Sequence, residues 1–344
     1  MVATLTLAMH GMGLTILKRC GVSCSVPDNA IMSVAVGTIV GGTVFFLVGH
    51  IEWNAWMLWP FLTFFAGLGL FHTWKERRAW QSALLRIGTL PGCGLAVISL
   101  TLFTSSGLAA LGGNIGHDGI SYHLLGPEKW WHHGTVVVLP EHSHTAFPAI
   151  VEMWFGAARA LGRIEAAGIL GVVFLAQLLA LVWRFARELG ATSSAASWGV
   201  AIASATLVLV STTDDYFVDV PFAVFSLFAL SAAVRSPHAR NALLAAIFTG
   251  GAIGTKYTGM FVAVATGVVL VWPALLNRPS WDQLLRRFTG FTVLALLIGL
   301  PCYIRNAIVF GAPHHPTASV ARKPVARVEL AGRYHRRVSS SHSA

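Results

Sequence analysis

A chain of 344 residues that is 55% hydrophobic and only 11% charged lies well below the roughly 25% charged residues of a soluble domain. It is excluded from that class and is expected to use lipid as part of its solvent. The net charge of +10 does not point to nucleic acid, because the basic residues sit in short loops and in the C-terminal tail, the pattern of positive-inside anchoring.

In chain order, residues 2 to 17 form an apolar stretch, short for a membrane span, that ends at Lys18 and Arg19 and reads as a partial or interfacial first helix. Near-continuous apolar runs follow at about 31–49, 54–72 and 88–111, each close to the roughly 20 residues that cross a bilayer core. Lys75, Arg77, Arg78 and Arg86 lie between the second and third, which assigns that loop to the cytoplasm and brings the chain out on the other face after Leu111. Residues 1–111 are therefore N-terminal transmembrane helices. Residues 112–163 are an extracytoplasmic loop with juxtamembrane helices, centred on the histidine-rich and tryptophan-rich island His117 to Trp131.

Within that loop, 145–161 is expected to be one helix, capped by Thr145 with Pro148 in its first turn. Ile150, Trp154, Ala158 and Leu161 make an apolar stripe and Glu152, Arg159 and Arg163 a polar one, so the helix should lie flat on the membrane. With it flat, runs near 164–183, 193–212, 216–234, 242–255, 258–275 and 288–304 alternate so that Arg184, Arg187, Arg235, Arg240, Arg278, Arg286 and Arg287 are all cytoplasmic. Asp118, Asp214, Asp215, Asp219, Lys256 and Arg305 then share the outer side. Residues 164–312 form the rest of the bundle, and 313–344 are a basic, serine-containing tail expected to be disordered. The fold class is all-α and polytopic.

Charges at membrane edges are functional candidates, since each costs roughly 2.5–3.5 kcal/mol on insertion scales unless it finds water or a partner. A carboxylate such as Asp118 can act as a general base on an acceptor hydroxyl, with Tyr122 and His123 beside it against the substrate. Cations can hold a leaving phosphate. The plainer readings are equally specific: Asp118 as a helix cap, Asp214 and Asp215 as a solvated turn, Lys256 as a snorkelling side chain and Arg305 as an interfacial anchor. Trp130 and Trp131 read as an aromatic belt, with sugar stacking the sharper alternative. His117, His123, His132, His133, His142 and His144 leave a divalent metal open without matching a firm zinc spacing. The four cysteines, Cys20, Cys24, Cys93 and Cys302, do not make a disulfide framework, and the CxxxC spacing of Cys20 and Cys24 is weak as a metal motif. The sequence requires no cofactor.

The order HDGISYHLLGPEKWWHHG (117–134), HSHTAFPAIVEMWFGAARALG (142–162), TDD (213–215), GTKYTG (254–259) and GLPCYIRNAIVFGAP (299–313) resembles the polyprenyl-phosphate-sugar-dependent membrane glycosyltransferases of the C-type fold, which include protein O-mannosyltransferase-like and aminoarabinose transferase-like enzymes. The resemblance spans about Gly112 to Pro316. It implies Asp118 as catalytic base, a second acidic site at Asp214 or Asp215, and Lys256 and Arg305 as candidates for the lipid phosphate. It also implies a polyprenyl-phosphate-linked sugar as donor, a lipid, glycan or protein acceptor, and an outward-facing site in a bacterial inner membrane. Two features depart from it. Gly119 stands where relatives often carry a second acidic residue, and GAPHHP leads into the basic tail where relatives continue into further helices, for which a shortened or altered end is the expected reason. The competing expectations are a transporter or lipid-binding protein using the same cavity, and a remnant without activity.

Overall fold

The computed structural model describes residues 1–22, 26–87, 97–98, 100–102, 104, 118–139, 143–162, 165–206, 216–235, 239–277 and 281–313. Every regular element among them is a helix. The apolar run at 88–111 and the tail from 314 lie largely or wholly outside the described residues. Among the described residues, three helices are long and apolar enough to cross a membrane: Asp28–Gly49, Ala55–Lys75 and Glu165–Glu188. A fourth candidate is the pair Leu284–Gly299 and Pro301–Phe310, bent by 58°.

The N-terminal unit is built from α1 (Val2–Arg19), α2 (Val26–Gly49) and α3 (Ala55–Lys75). Of the two expectations for the first helix, the interfacial one is corrected here: α1 is 18 residues long and packs with its central residues buried against α2 and α3. Glycines allow this. A methyl group added at Gly11 would lie 2.0 Å from the Phe65 carbonyl oxygen, one at Gly13 1.8 Å from that of Ser33, and one at Gly37 1.8 Å from that of Met9. Between apolar helices, such close backbone approach replaces side-chain interdigitation as the source of packing. Several polar groups find partners within the same unit. His10 Nδ1 and Ser33 Oγ are 2.6 Å apart, and the Thr38 and Thr43 hydroxyls donate to the carbonyls of Val34 and Ile39 one turn back. Asn54 caps α3 by accepting the Met57 N–H at 2.8 Å.

The loop helix α5 (Leu125–His133) and α6 (Glu152–Ala160) come next, after a short helix α4 (Arg77–Ile87). The expected single helix over 145–161 is corrected. Thr145 lies instead in a separate turn, Ser143–Ala146, where its hydroxyl accepts the Leu139 N–H. Pro148 interrupts the backbone, since it lacks an N–H and disfavours helical geometry at Phe147. Nor is α6 a surface helix: every residue from Glu152 to Ala158 is buried. Its Trp154 indole donates to the Thr38 carbonyl of α2 at 2.8 Å. The polar stripe exists, but another segment of the loop covers it.

The remaining helices are α7 (Glu165–Glu188), α8 (Ser193–Ser204), α9 (Asp219–Val234), α10 (Ala239–Ile253), α11 (Gly259–Asn277), α12 (Trp281–Gly299) and α13 (Pro301–Phe310). The run expected at 288–304 is two helices, because Pro301 opens α13 at a sharp bend from α12. The helix ends sort by charge. Where α1, α3, α7 and α9 finish and α2 and α10 begin, Lys18 meets His72, Arg184 meets Asp28 and Glu188, Arg235 meets Glu188 and Arg240 donates to the Gly21 carbonyl. The loop segments 118–139 and 143–150 lie at the opposite end. The first of them is strapped to the α2–α3 turn by Val136 N–H to Gly49 O and Trp53 N–H to Gly134 O, at 2.7 and 2.6 Å.

The glycine crossings predict a contrast. Gly37→Ala should destabilise the protein by about 1–3 kcal/mol, the usual cost of overpacking. Gly67→Ala, where an added methyl meets nothing within 4 Å, should be neutral or stabilising by up to about 1 kcal/mol through helix propensity. Thermal unfolding in detergent measures both.

Candidate functional site

The site is assembled at the loop end from four pieces of chain. The first is the wide turn Gly119–His123, closed by Leu124 N–H to Gly119 O at 2.9 Å. Asp118 precedes it without capping it: no side-chain hydrogen bond reaches the turn's N–H groups. The Tyr122 phenol, one turn on, is instead the group that the negative charge of Asp118 acts on. Burial, reinforced by that charge and by a hydrogen bond to the carboxylate, raises the Tyr122 pKa well above the ordinary tyrosine value. The phenol therefore stays protonated and donates.

The second piece is α6. His123 and Glu152 are both buried, and His123 Nδ1 lies 2.8 Å from Glu152 Oε1. Their other polar atoms, His123 Nε2 and Glu152 Oε2, have no hydrogen-bond partner. Two turns along the same face, Arg159 holds Glu128 of α5 through two hydrogen bonds, and the guanidinium keeps the Glu128 carboxyl below the usual carboxylate range. Thus both polar residues of α6 that sequence reasoning assigned to water grip the loop. The tryptophans are also reassigned. Trp130 is 2% exposed, packs edge-on to Trp53 and donates to the Val137 carbonyl, which excludes both the aromatic belt and sugar stacking. Trp131 lies under the Arg159 guanidinium at 5.9 Å.

The third piece is the break between α10 and α11. The chain reverses so tightly that a methyl group at Gly259 would sit 2.3 Å from the Ala252 carbonyl oxygen. Lys256 Nζ donates to Asp219 Oδ1, at the start of α9, at 2.6 Å, so the cation is partnered by a carboxylate. The fourth is α13. Arg305 is 7% exposed, so the surface-anchor expectation for it is overturned. Its guanidinium lies over the Phe46 ring at 5.1 Å and donates through Nε and Nη2 to Asn306 Oδ1, leaving Nη1 without a partner.

Segment 146–150 ties these pieces together. Its Ala146 carbonyl accepts Asn306 Nδ2 at 2.7 Å, and its Ile150 N–H donates to the Gly254 carbonyl at 3.0 Å. Rings continue the connection. Tyr122 packs on His144 in parallel at 5.1 Å and edge-on to Phe147, Phe147 is edge-on to Tyr257, and Tyr257 is edge-on to Tyr303. One run of contacts therefore leads from Asp118 to Lys256 and Arg305. Comparison of the chain with protein-family models, curated proteins and solved structures finds no match. The chemistry of the site follows from its own groups.

Of the residues singled out from sequence, Asp118, Tyr122 and His123 lie together in the loop, and the segments that carry Lys256 and Arg305 are linked to them through Phe147, Tyr257, Ala146 and Asn306, while Asp214 and Asp215 lie outside the described residues. Glu152, Tyr257 and Asn306 belong to the site and were not singled out as site residues, and His144, considered only for a metal, belongs to it through its ring. The signal for Glu152 was present, the one carboxylate in a short helix whose other residues, Arg159 apart, are apolar or small. Among the described residues no group of three or more His, Cys, Asp or Glu side chains is placed to hold a metal ion; His117, Glu141 and His142 fall outside them. Beside the site, α10, α11 and α12 enclose an apolar groove of about 530 Å³ that begins at Ile253 and runs past Gly267, Phe288 and Ala295.

Glu152→Ala removes the partner of a buried imidazole and should cost about 1–3 kcal/mol of stability. Asp219→Asn, in a pair one-third to one-half exposed, should cost less than about 1 kcal/mol. Parallel thermal unfolding of the two variants checks the order.

Proposed function

We propose that the protein is a polytopic membrane glycosyltransferase that moves a sugar from a polyprenyl-phosphate donor to an acceptor hydroxyl. The observation that carries this reading is the Asp118–Tyr122 pair, joined by one chain of contacts to the cations Lys256 and Arg305. Asp118 takes the proton of the acceptor hydroxyl as that oxygen bonds to the anomeric carbon. The bond from that carbon to the phosphate oxygen breaks, and the phosphate leaves with the electron pair. The result is one displacement with inversion. Tyr122, protonated throughout, occupies part of the carboxylate and orients the rest toward the acceptor.

Arg305 supports the phosphate assignment because a buried guanidinium nitrogen without a partner is expensive, about 1–3 kcal/mol, and an anion would complete it. Lys256 serves only if the phosphate competes with Asp219 for it. The apolar groove that starts at Ile253, next to Gly254 of the helix break, suits the prenyl chain. Three helices of spanning length and a basic end remote from the site fit a cytoplasmic basic face and an outward-facing site in a bacterial inner membrane.

Purified protein in detergent or liposomes, supplied with polyprenyl-phosphate sugars and candidate acceptors, should transfer sugar. Asp118→Asn should reduce the rate at least about 10²-fold, at the lower end of general-base contributions, with membrane insertion unchanged. Full activity in Asp118→Asn rejects the base assignment, and substrate uptake without transfer replaces the reading with a transporter.

The groove gives an independent check. At Gly267 an added methyl meets only the Phe288 ring, at 3.7 Å, so Gly267→Leu should fold. It should raise KM for a long-chain donor by about tenfold while leaving a donor with a short prenyl chain within about twofold. That ratio corresponds to the loss of one to two buried methylene contacts, each about 0.8 kcal/mol.

A further inference from the structure

The mechanism above leaves the most deeply buried polar pair of the site unused. His123 is 1% and Glu152 5% exposed, they bond to each other at 2.8 Å, and each keeps one polar atom without a partner. A purely structural role would favour replacing both by apolar groups of the same shape, because a half-satisfied buried pair is worse than none. Neither atom is open to a substrate. The pair must act through its neighbours, and the neighbour is Tyr122: the His123 ring lies 4.1 Å from the Tyr122 ring, and Tyr122 pairs with Asp118.

Resting on the transferase reading, we propose that Glu152 is a positioning residue that acts on Asp118 through His123 and Tyr122. The Glu152 carboxylate accepts the His123 Nδ1 proton and so fixes both the tautomer and the plane of the imidazole. That ring, with Phe217 edge-on to it at 5.9 Å, sets the plane of Tyr122 from one side while His144 and Phe147 hold the others. Tyr122 then presents its phenol to Asp118 in one orientation. Among the described residues, the charged and titratable groups that act on this unit include Asp118, Asp219 and His144 beside Tyr122, and Cys302 beside Glu152.

Glu152→Ala perturbs folding, so the test uses near-isosteric variants. In Glu152→Gln the amide can donate to Nδ1 and move the imidazole proton to Nε2, so the fixed tautomer and the charge that sets it are lost while the volume is kept. The variant should lower kcat about tenfold with donor KM within twofold, and Tyr122→Phe should do the same. The double variant should be no slower than the slower single one, since both remove the same device. Losses that multiply, or a Glu152→Gln variant with the kcat of the unaltered protein, overturn the proposal while leaving the transferase reading standing.

A readout without substrate separates the two failures. The phenolate absorbance of Tyr122, isolated by subtracting Tyr122→Phe, should titrate above the ordinary tyrosine value and move down in His123→Asn, which breaks the link between Glu152 and the Tyr122 ring while keeping the Glu152 charge. If the protein transfers no sugar but this shift is present, the coupling of Glu152 to Tyr122 holds and the transferase reading falls. An unmoved titration overturns the coupling.

Discussion

The polar stripe of α6 turned inward is the constraint on which the rest of the site depends. A nine-residue helix that buries almost its whole surface carries one carboxylate and one guanidinium, and both must be satisfied by protein. Glu152 takes His123 and Arg159 takes Glu128. These two ties fix the wide turn and α5 over α6, and through the turn they fix Asp118. The same helix is tied to α2 by the Trp154 indole, so the loop takes its position from the N-terminal bundle and not from the solvent.

The second constraint is the need for backbone partners where helices break. Around Gly254 and Pro301 the helices end within the apolar bundle, leaving carbonyl and N–H groups that the helical ladder no longer pairs. Segment 146–150 meets part of this need through Ile150, and Tyr303 donates to the Ile253 carbonyl at 3.1 Å. Irregular backbone is tolerated here because it is surrounded by protein. Lys256, Tyr257, Arg305 and Asn306 thereby sit against the loop although they are distant in sequence.

Much of the helical framework was legible in the chain. The apolar runs at 31–49, 54–72 and 164–183 correspond to α2, α3 and α7, and the flanking basic residues do gather at one end. What was not legible has physical causes. An amphipathic pattern reports two kinds of face without saying what covers the polar one, so α6 was expected on a surface. Pro148 and Pro301 break helices within otherwise continuous apolar runs, and one was absorbed into a first turn and the other into a span. Asp118, Lys256 and Arg305 stood out because charge is scarce in this composition. Glu152 did not, because its partner His123 lies 29 residues away and periodicity carries no information over that distance.

The glycine crossings of the first three helices have a mechanical meaning. Backbones in direct contact cannot slide along one another without driving a Cα into a carbonyl oxygen, so α1, α2 and α3 behave as a stator. By contrast α11 turns Phe261, Val264, Val268 and Trp272 outward, and near its start Gly259 folds against Ala252. The two parts of the bundle are therefore held by different means, backbone against backbone in the first three helices and, beyond Gly259, side chains along α11.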